Sequence, residues 1–281
     1  MTPLTLPGDW PLREASRRIA CKPHLWHVQE IGSGPLLLLL HGAGGATHSW
    51  RNLIPLLAGY RVVAIDLPGQ GFTRMGSRRR CSIEAMAEDI ASLCADQGWQ
   101  PHAVIGHSAG GALALRLAEV LPVARVVGIN AALGTFDGAA GWLFPLMAKL
   151  LAATPMVPQL FSRLSGTPDR VEALLASTGS KIDAAGRGQY LRLLQMSNHV
   201  DATLLMMAQW KLDGLLARLP EMAARVLLIT GAVDATVPPG VSERAAVRSA
   251  GAISVNLPGL GHLAHEEDAA AVAAVVLPFL A

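Results

Sequence analysis

The 281-residue chain is poor in charge, aromatics and cysteine, and each shortage removes a class of protein. Charged residues make up 16% of it, against roughly 25% in an average soluble domain. The formal net charge is only +2, so there is no basic surplus for a phosphate backbone and no nucleic-acid partner is expected. Cys21, Cys81 and Cys94 are an odd number with no C-x-x-C spacing. That argues against a disulfide framework or a zinc site and suits a reducing compartment. The nine histidines are scattered, so neither a metal nor a cofactor is expected. The densest leucine run, Leu36–Leu40, is far below the roughly 20 apolar residues of a membrane span, and no transmembrane segment is expected. The opening residues carry Pro3, Pro7 and Pro11 and no apolar stretch of signal-peptide length, so the protein is expected to be cytoplasmic.

What the chain has instead is aliphatic: 51% of residues are hydrophobic but only 5% aromatic. That is too apolar for disorder. Short aliphatic runs at Leu36–Leu40, Arg61–Ile65, Ala103–Ile105 and Val123–Ile129 alternate with helical patterns at 50–58, Ile83–Gln97 and 112–120. Uninterrupted aliphatic strands separated by helices predict an α/β fold with a mostly parallel, doubly wound sheet covered on both faces. After Asn130 the alternation stops, and it resumes with strands at Val226–Thr230 and Ile253–Leu257, a helix near 242–249 and a last helix ending near Leu280. The expected organisation is therefore a sheet domain of residues 1–133 and 221–281, with a helical lid of residues 134–220 inserted into it.

Gly106-His107-Ser108-Ala109-Gly110 has the form G-x-S-x-G. The pattern alone is weak, but here it lies between an aliphatic strand and an amphipathic helix, where a strained nucleophile elbow is built. A serine hydroxyl needs a base, and in this architecture the acid and then the histidine follow the serine in the chain. Asp234 falls just past the strand Val226–Thr230, and His262 just past Ile253–Leu257. Both therefore project from the carboxyl ends of strands, the edge where open α/β sheets bind ligands. His265 is a rival for the base, but by the same periodicity it sits a turn into the last helix. Asp137 and Asp66 are rivals for the acid; the first lies well past its strand, and the second sits in an Asp-x-Pro-Gly turn. The loop His41-Gly42-Ala43-Gly44 follows Leu36–Leu40, so the backbone N–H groups of Ala43 and Ala109 are the expected oxyanion-hole pair.

Taken in order, these motifs resemble the α/β-hydrolase superfamily across nearly the whole chain. Within it, the chain is similar to the magnesium-chelatase accessory protein family of bacteriochlorophyll biosynthesis. The segments carrying that resemblance are Trp26-His27-Val28-Gln29, the run from Gly34 through His41-Gly42-Ala43-Gly44 to His48-Ser49-Trp50-Arg51, and Asp66-Leu67-Pro68-Gly69-Gln70-Gly71-Phe72-Thr73. Gln70 stands where many relatives have histidine, which puts a minor loop contact in question and leaves the triad untouched. The resemblance implies a pigment-pathway role with magnesium-chelatase subunits as partners; any magnesium would belong to a partner or its substrate.

From Ala131 to Ser162 the charged residues are Asp137 and Lys149 alone, among Trp142, Phe144 and Met147. Met207 and Trp210 close the insertion. With His41 and His107, these five residues are the expected lining of an apolar, adaptable substrate pocket. The alternative for each is ordinary packing on the sheet. Peripheral membrane contact through the lid is a third reading, although the basic polar face usual for that role is missing. Arg78-Arg79-Arg80 reads either as a solvated loop or as a contact for tetrapyrrole propionates. The expected function is a serine hydrolase of an ester or acyl compound with a bulky apolar group. A non-catalytic tetrapyrrole-binding or chelatase-partner protein is the alternative. A cofactor-free haloperoxidase or perhydrolase is a further one. Serine at the elbow argues against dehalogenase or epoxide-hydrolase chemistry, for which relatives use aspartate.

Overall fold

The computed structural model describes residues 5–134 and 166–281. Its strands are β1 (Ser16–Cys21), β2 (His24–Gly32), β3 (Leu36–Leu40), β4 (Arg61–Ile65), β5 (Pro101–His107), β6 (Arg125–Ile129), β7 (Arg225–Gly231) and β8 (Ile253–Leu257). They form one sheet in the order β1-β2-β4-β3-β5-β6-β7-β8. From β4 to β8 all neighbours are parallel, while β1 and β2 add antiparallel at one edge. The helices are α1 (Ile83–Gln97), α2 (Ala109–Ala118), α3 (Pro168–Ser177), α4 (Ala184–Gln195), α5 (Ser197–Gln209), α6 (Asp213–Arg218), α7 (Gly240–Arg248), α8 (Ala264–Glu267) and α9 (Ala269–Leu280).

The aliphatic runs become central strands because a strand's side chains alternate between two faces, and here both faces are covered. Leu36, Leu38 and Leu40 enter one core with α1, α2, α5 and α6. Leu37 and Leu39 enter the other with α9. Valines and isoleucines of β4 to β7 sort the same way. Each fully buried Leu or Ile contributes about 1.5–3 kcal/mol. Helix α1 starts where Ser82 Oγ accepts the Ala85 N–H at 3.2 Å and ends at Gly98 in the left-handed region (φ 63°).

Three local expectations need correction. The β1–β2 hairpin is additional, and its signal is masked because His24, His27 and Gln29 occupy buried strand positions. Residues 50–58 are not an α-helix: the chain makes 3-10 turns at Thr47–Trp50 and Ile54–Leu56. Pro55 supplies no N–H and blocks a longer helix. His265 lies in α8, which is separate from the last helix α9; Asp268 caps α9 by accepting the Ala271 N–H at 2.8 Å. Between β6 and β7 the described residues hold the helices α3 to α6 and no strand, and Leu205, Met206, Leu215 and Leu216 from α5 and α6 join the sheet's core.

Candidate active site

β5 ends at His107 and α2 begins at Ala109, so Ser108 alone makes the turn, with φ 51° and ψ −118°. This is a sparsely populated conformation for a residue with a Cβ, of the kind held only where the surroundings enforce it. The enforcement is visible in the flanking glycines. A Cβ on Gly106 would lie 2.0 Å from the Gly110 carbonyl oxygen, and one on Gly110 would lie 2.1 Å from that of Leu40. The turn is further pinned by Ser108 N–H to Ile129 O at 2.9 Å, and by the Ser108 carbonyl accepting from Gly111 and Ala132, each at 2.9 Å.

Asp234 and His262 meet at the same edge of the sheet. His262 Nδ1 lies 2.8 Å from Asp234 Oδ2, both side chains being nearly or fully buried. The carboxylate is crowded with donors: Asn130 Nδ2 at 2.7 Å on Oδ2, and the Thr236 and Val237 N–H groups at 2.7 and 2.8 Å on Oδ1. Burial alone would raise its pKa. The hydrogen bond and charge of His262, then the Val237 and Asn130 bonds, outweigh burial and hold it below the usual carboxylate range. With Nδ1–H donating to Asp234, His262 presents Nε2 as a lone-pair acceptor. The elbow and the histidine loop touch at neighbouring residues: His107 Nε2–H donates to the His262 carbonyl at 2.9 Å. Burial, and next the His262 charge, push the His107 pKa down to about 3, while the carbonyl bond itself acts in the opposite sense.

The loop between α3 and α4 braces this pair. The Thr178 carbonyl accepts N–H groups from both Ala235 (3.2 Å) and His262 (3.3 Å), and Ser180 Oγ accepts the Leu263 N–H at 2.8 Å. Close backbone approach demands glycine here: a Cβ on Gly261 would lie 2.4 Å from the Gly179 carbonyl carbon.

A profile of the alpha/beta hydrolase fold matches residues 35–269. The chain belongs to the α/β-hydrolase fold family. It is 48% identical over 283 aligned positions, covering 100% of the chain and 99% of the relative, to the magnesium-chelatase 30 kDa subunit of Rhodobacter capsulatus. It is 29% identical over 248 positions, covering 84% of the chain and 91% of the relative, to a pimeloyl-[acyl-carrier protein] methyl ester esterase of Xanthomonas oryzae pv. oryzae. A putative lipase from Acinetobacter baumannii shares the fold at a TM-score of 0.78 with 22% identity, covering 96% of this chain and 94% of that one.

In this α/β-hydrolase fold the His41–Gly45 loop packs directly on the elbow: a Cβ on Gly42 would lie 3.0 Å from Ser108 Cβ. Among the described residues, the Ala43 and Ala109 N–H groups are not drawn into backbone hydrogen bonds. His41 opens that loop. It is fully buried; Nδ1–H donates to the Gly42 carbonyl at 2.7 Å, and Nε2 accepts the Leu67 N–H at 2.9 Å. Both ring nitrogens are spent on backbone, and burial lowers its pKa. His107 is likewise buried beneath the elbow, its Nε2 spent on the His262 carbonyl. Trp210 packs half-buried against the sheet's core, and Met207 is half-buried on α5. Trp142, Phe144 and Met147 lie outside the described residues. Asp66 is a loop pin: it bonds His27 Nδ1 at 2.6 Å, Thr47 N–H at 2.7 Å and Phe72 N–H at 2.8 Å. Of the basic run, Arg78 pairs with Asp201 and Arg80 with Asp89 and Glu88.

Of three further residues that support the site, Asn130 and His199 carried no signal in the sequence. Asn130 steadies Asp234, while Gln70 and His199 bind the Gly44 backbone at 2.8 and 3.2 Å. Only Gln70 could have been found, as a departure from the histidine of relatives, and its contact is not minor.

Proposed function

We propose that the protein is a serine hydrolase acting on an ester or related acyl compound with a bulky apolar group. The observation that carries this is the strained Ser108 turn (φ 51°) at the same sheet edge as the 2.8 Å Asp234–His262 hydrogen bond. Ser108 Oγ attacks the acyl carbonyl while His262 Nε2 takes its proton, and Asp234 stabilises the resulting imidazolium. The Ala43 and Ala109 N–H groups receive the oxyanion. Collapse expels the alcohol, which takes the proton from His262 and leaves an acyl-Ser108. A water molecule, deprotonated by His262, then releases the acid.

The full-length similarity to a magnesium-chelatase subunit supports a place beside magnesium chelation, with chelatase subunits as partners and a tetrapyrrole ester as substrate. We assign it to the cytoplasm. A fluorophosphonate probe is expected to label wild type at Ser108 and to leave Ser108→Ala unlabelled. Failure to label well-folded wild type refutes hydrolysis.

The same similarity favours a second reading, a non-catalytic chelatase partner that binds a tetrapyrrole. Complementation separates the two. If Ser108→Ala restores pigment synthesis in a deletion strain, the physiological role is binding.

A further inference from the structure

The Ala43 N–H can serve an oxyanion only if its loop is held, and the way it is held leads to α5. The Gly42 carbonyl accepts from His41 Nδ1–H at 2.7 Å and from Gly45 N–H at 3.0 Å. Because the Gly42–Ala43 peptide is planar and trans, fixing that carbonyl aims the Ala43 N–H the opposite way. This pin lies inside the loop. The next residue, Gly44, has φ 77° and is held from outside on both polar groups. Its N–H donates to Gln70 Oε1 at 2.8 Å, and its carbonyl accepts from His199 Nε2–H at 3.2 Å.

His199 belongs to α5, and its ring chemistry is self-consistent. Nδ1 accepts the Gly71 N–H at 2.9 Å, which leaves Nε2 as the protonated nitrogen that faces Gly44. One neutral imidazole thus ties the oxyanion loop to the turn that carries Gln70. Gln70 returns the link, with Nε2 lying 3.2 Å from Met206 Sδ on the same helix. The grip runs along one helix face, as residues three, four and seven apart do. Ala202 fills the space where a Cβ on Gly69 would come within 2.6 Å, and Thr203 Cγ2 lies against Gly44. His199 and Gln70 are both buried. Buried polar side chains are costly unless bonded, and an apolar residue would pack as well. Both are instead aimed at loop backbone.

We propose that His199 and Gln70 are positioning residues through which α5 sets the oxyanion loop, so that the seating of this helix controls acyl transfer at Ser108. The proposal rests on the serine-hydrolase reading above. A donor moved off the oxyanion weakens the transition state more than the ground state, so its loss appears in kcat rather than KM.

The test uses the full-length protein, hydrolysis of a p-nitrophenyl ester, and the rate of fluorophosphonate labelling, with the folded fraction followed by circular dichroism. His199→Leu is expected to lower kcat and the labelling rate about 10- to 100-fold with KM little changed, short of the 10²–10³-fold loss of an oxyanion donor itself. His199→Gln keeps an N–H donor within reach of Gly44 and is expected to recover most of that loss. Should His199→Leu not fold, Gln70→Met removes the Gly44 acceptor at nearly constant volume and is expected to show the same kcat-only effect. A folded His199→Leu or Gln70→Met with wild-type kcat and labelling rate overturns the coupling while leaving the hydrolase reading intact. Unlabelled wild type removes that reading, and the coupling with it.

Discussion

Acidification from pH 8 to pH 5 is expected to cost the protein about 4 kcal/mol of stability through His107 and His199 alone. Burial is the chief cause in both. It brings His107 down to about 3 and His199 to about 4, with the neighbouring His262 and His41 acting in the same direction. His199 already uses one nitrogen as acceptor and one as donor. A second proton would set an N–H against the Gly71 N–H. In the unfolded chain both histidines titrate near 6.5. Between that value and the folded one, the unfolded state binds protons that the folded state refuses. Stability therefore falls as pH falls, by up to about 1.4 kcal/mol per pH unit for each histidine. At pH 5 the loss is about 2 kcal/mol each, and it is insensitive to the folded value once that lies well below 5. His24, His41, His48 and His265 are lowered by burial too and add in the same direction, whereas Glu266, raised by burial, opposes them. Asp66, held at about 2 because its bonds and the His27 charge outweigh burial, contributes only as pH falls through the range below about 4. Urea denaturation at pH 8, 6.5, 5.5 and 5 measures the effect. His199→Gln should reduce the proton uptake on unfolding by about one. An unfolding free energy that changes by less than about 1 kcal/mol between pH 8 and 5 would refute the reasoning that these imidazoles are buried and neutral.

Two further outcomes follow from the site. Asp234→Asn keeps the Asn130 and backbone neighbours in place but no longer holds the His262 tautomer. Ester turnover should drop by about 10⁴-fold with the fold retained, and a drop under tenfold would remove Asp234 from the mechanism. Gly110→Ala places a methyl carbon 2.1 Å from the Leu40 carbonyl oxygen. A loss of more than about 3 kcal/mol or a failure to fold is expected in thermal melts, and a near-neutral effect would contradict the closeness of elbow and β3.

The elements that could be read from the sequence are those whose cause is local. Leu36–Leu40 declares a strand buried on both faces without reference to any other residue, and Ser82 and Gly98 bound α1 by capping. Gly106 and Gly110 announce a turn too tight for side chains, and Asp234 and His262 stand just beyond recognisable strands. The β1–β2 hairpin was not legible, because polar residues at buried positions hide its alternation. The 3-10 turns near Trp50 show Pro55 overriding an apolar pattern that suits a helix equally well.

What decided the rest was contact between residues far apart in the chain. Asn130 and Asp234 are 104 positions apart, and His199 and Gly44 are 155. No local pattern encodes such a pair, since a buried histidine's two nitrogens take whatever backbone the packing brings to them. The sequence by itself determined the aliphatic strands, the glycine-flanked Ser108 and the order in which Asp234 and His262 follow it. Only the tertiary structure decided that both His41 ring nitrogens bond backbone, and that α5 reaches Gly44. Hydrophobic periodicity specifies which face of an element is buried, whereas hydrogen-bond partners are chosen only once those faces have met.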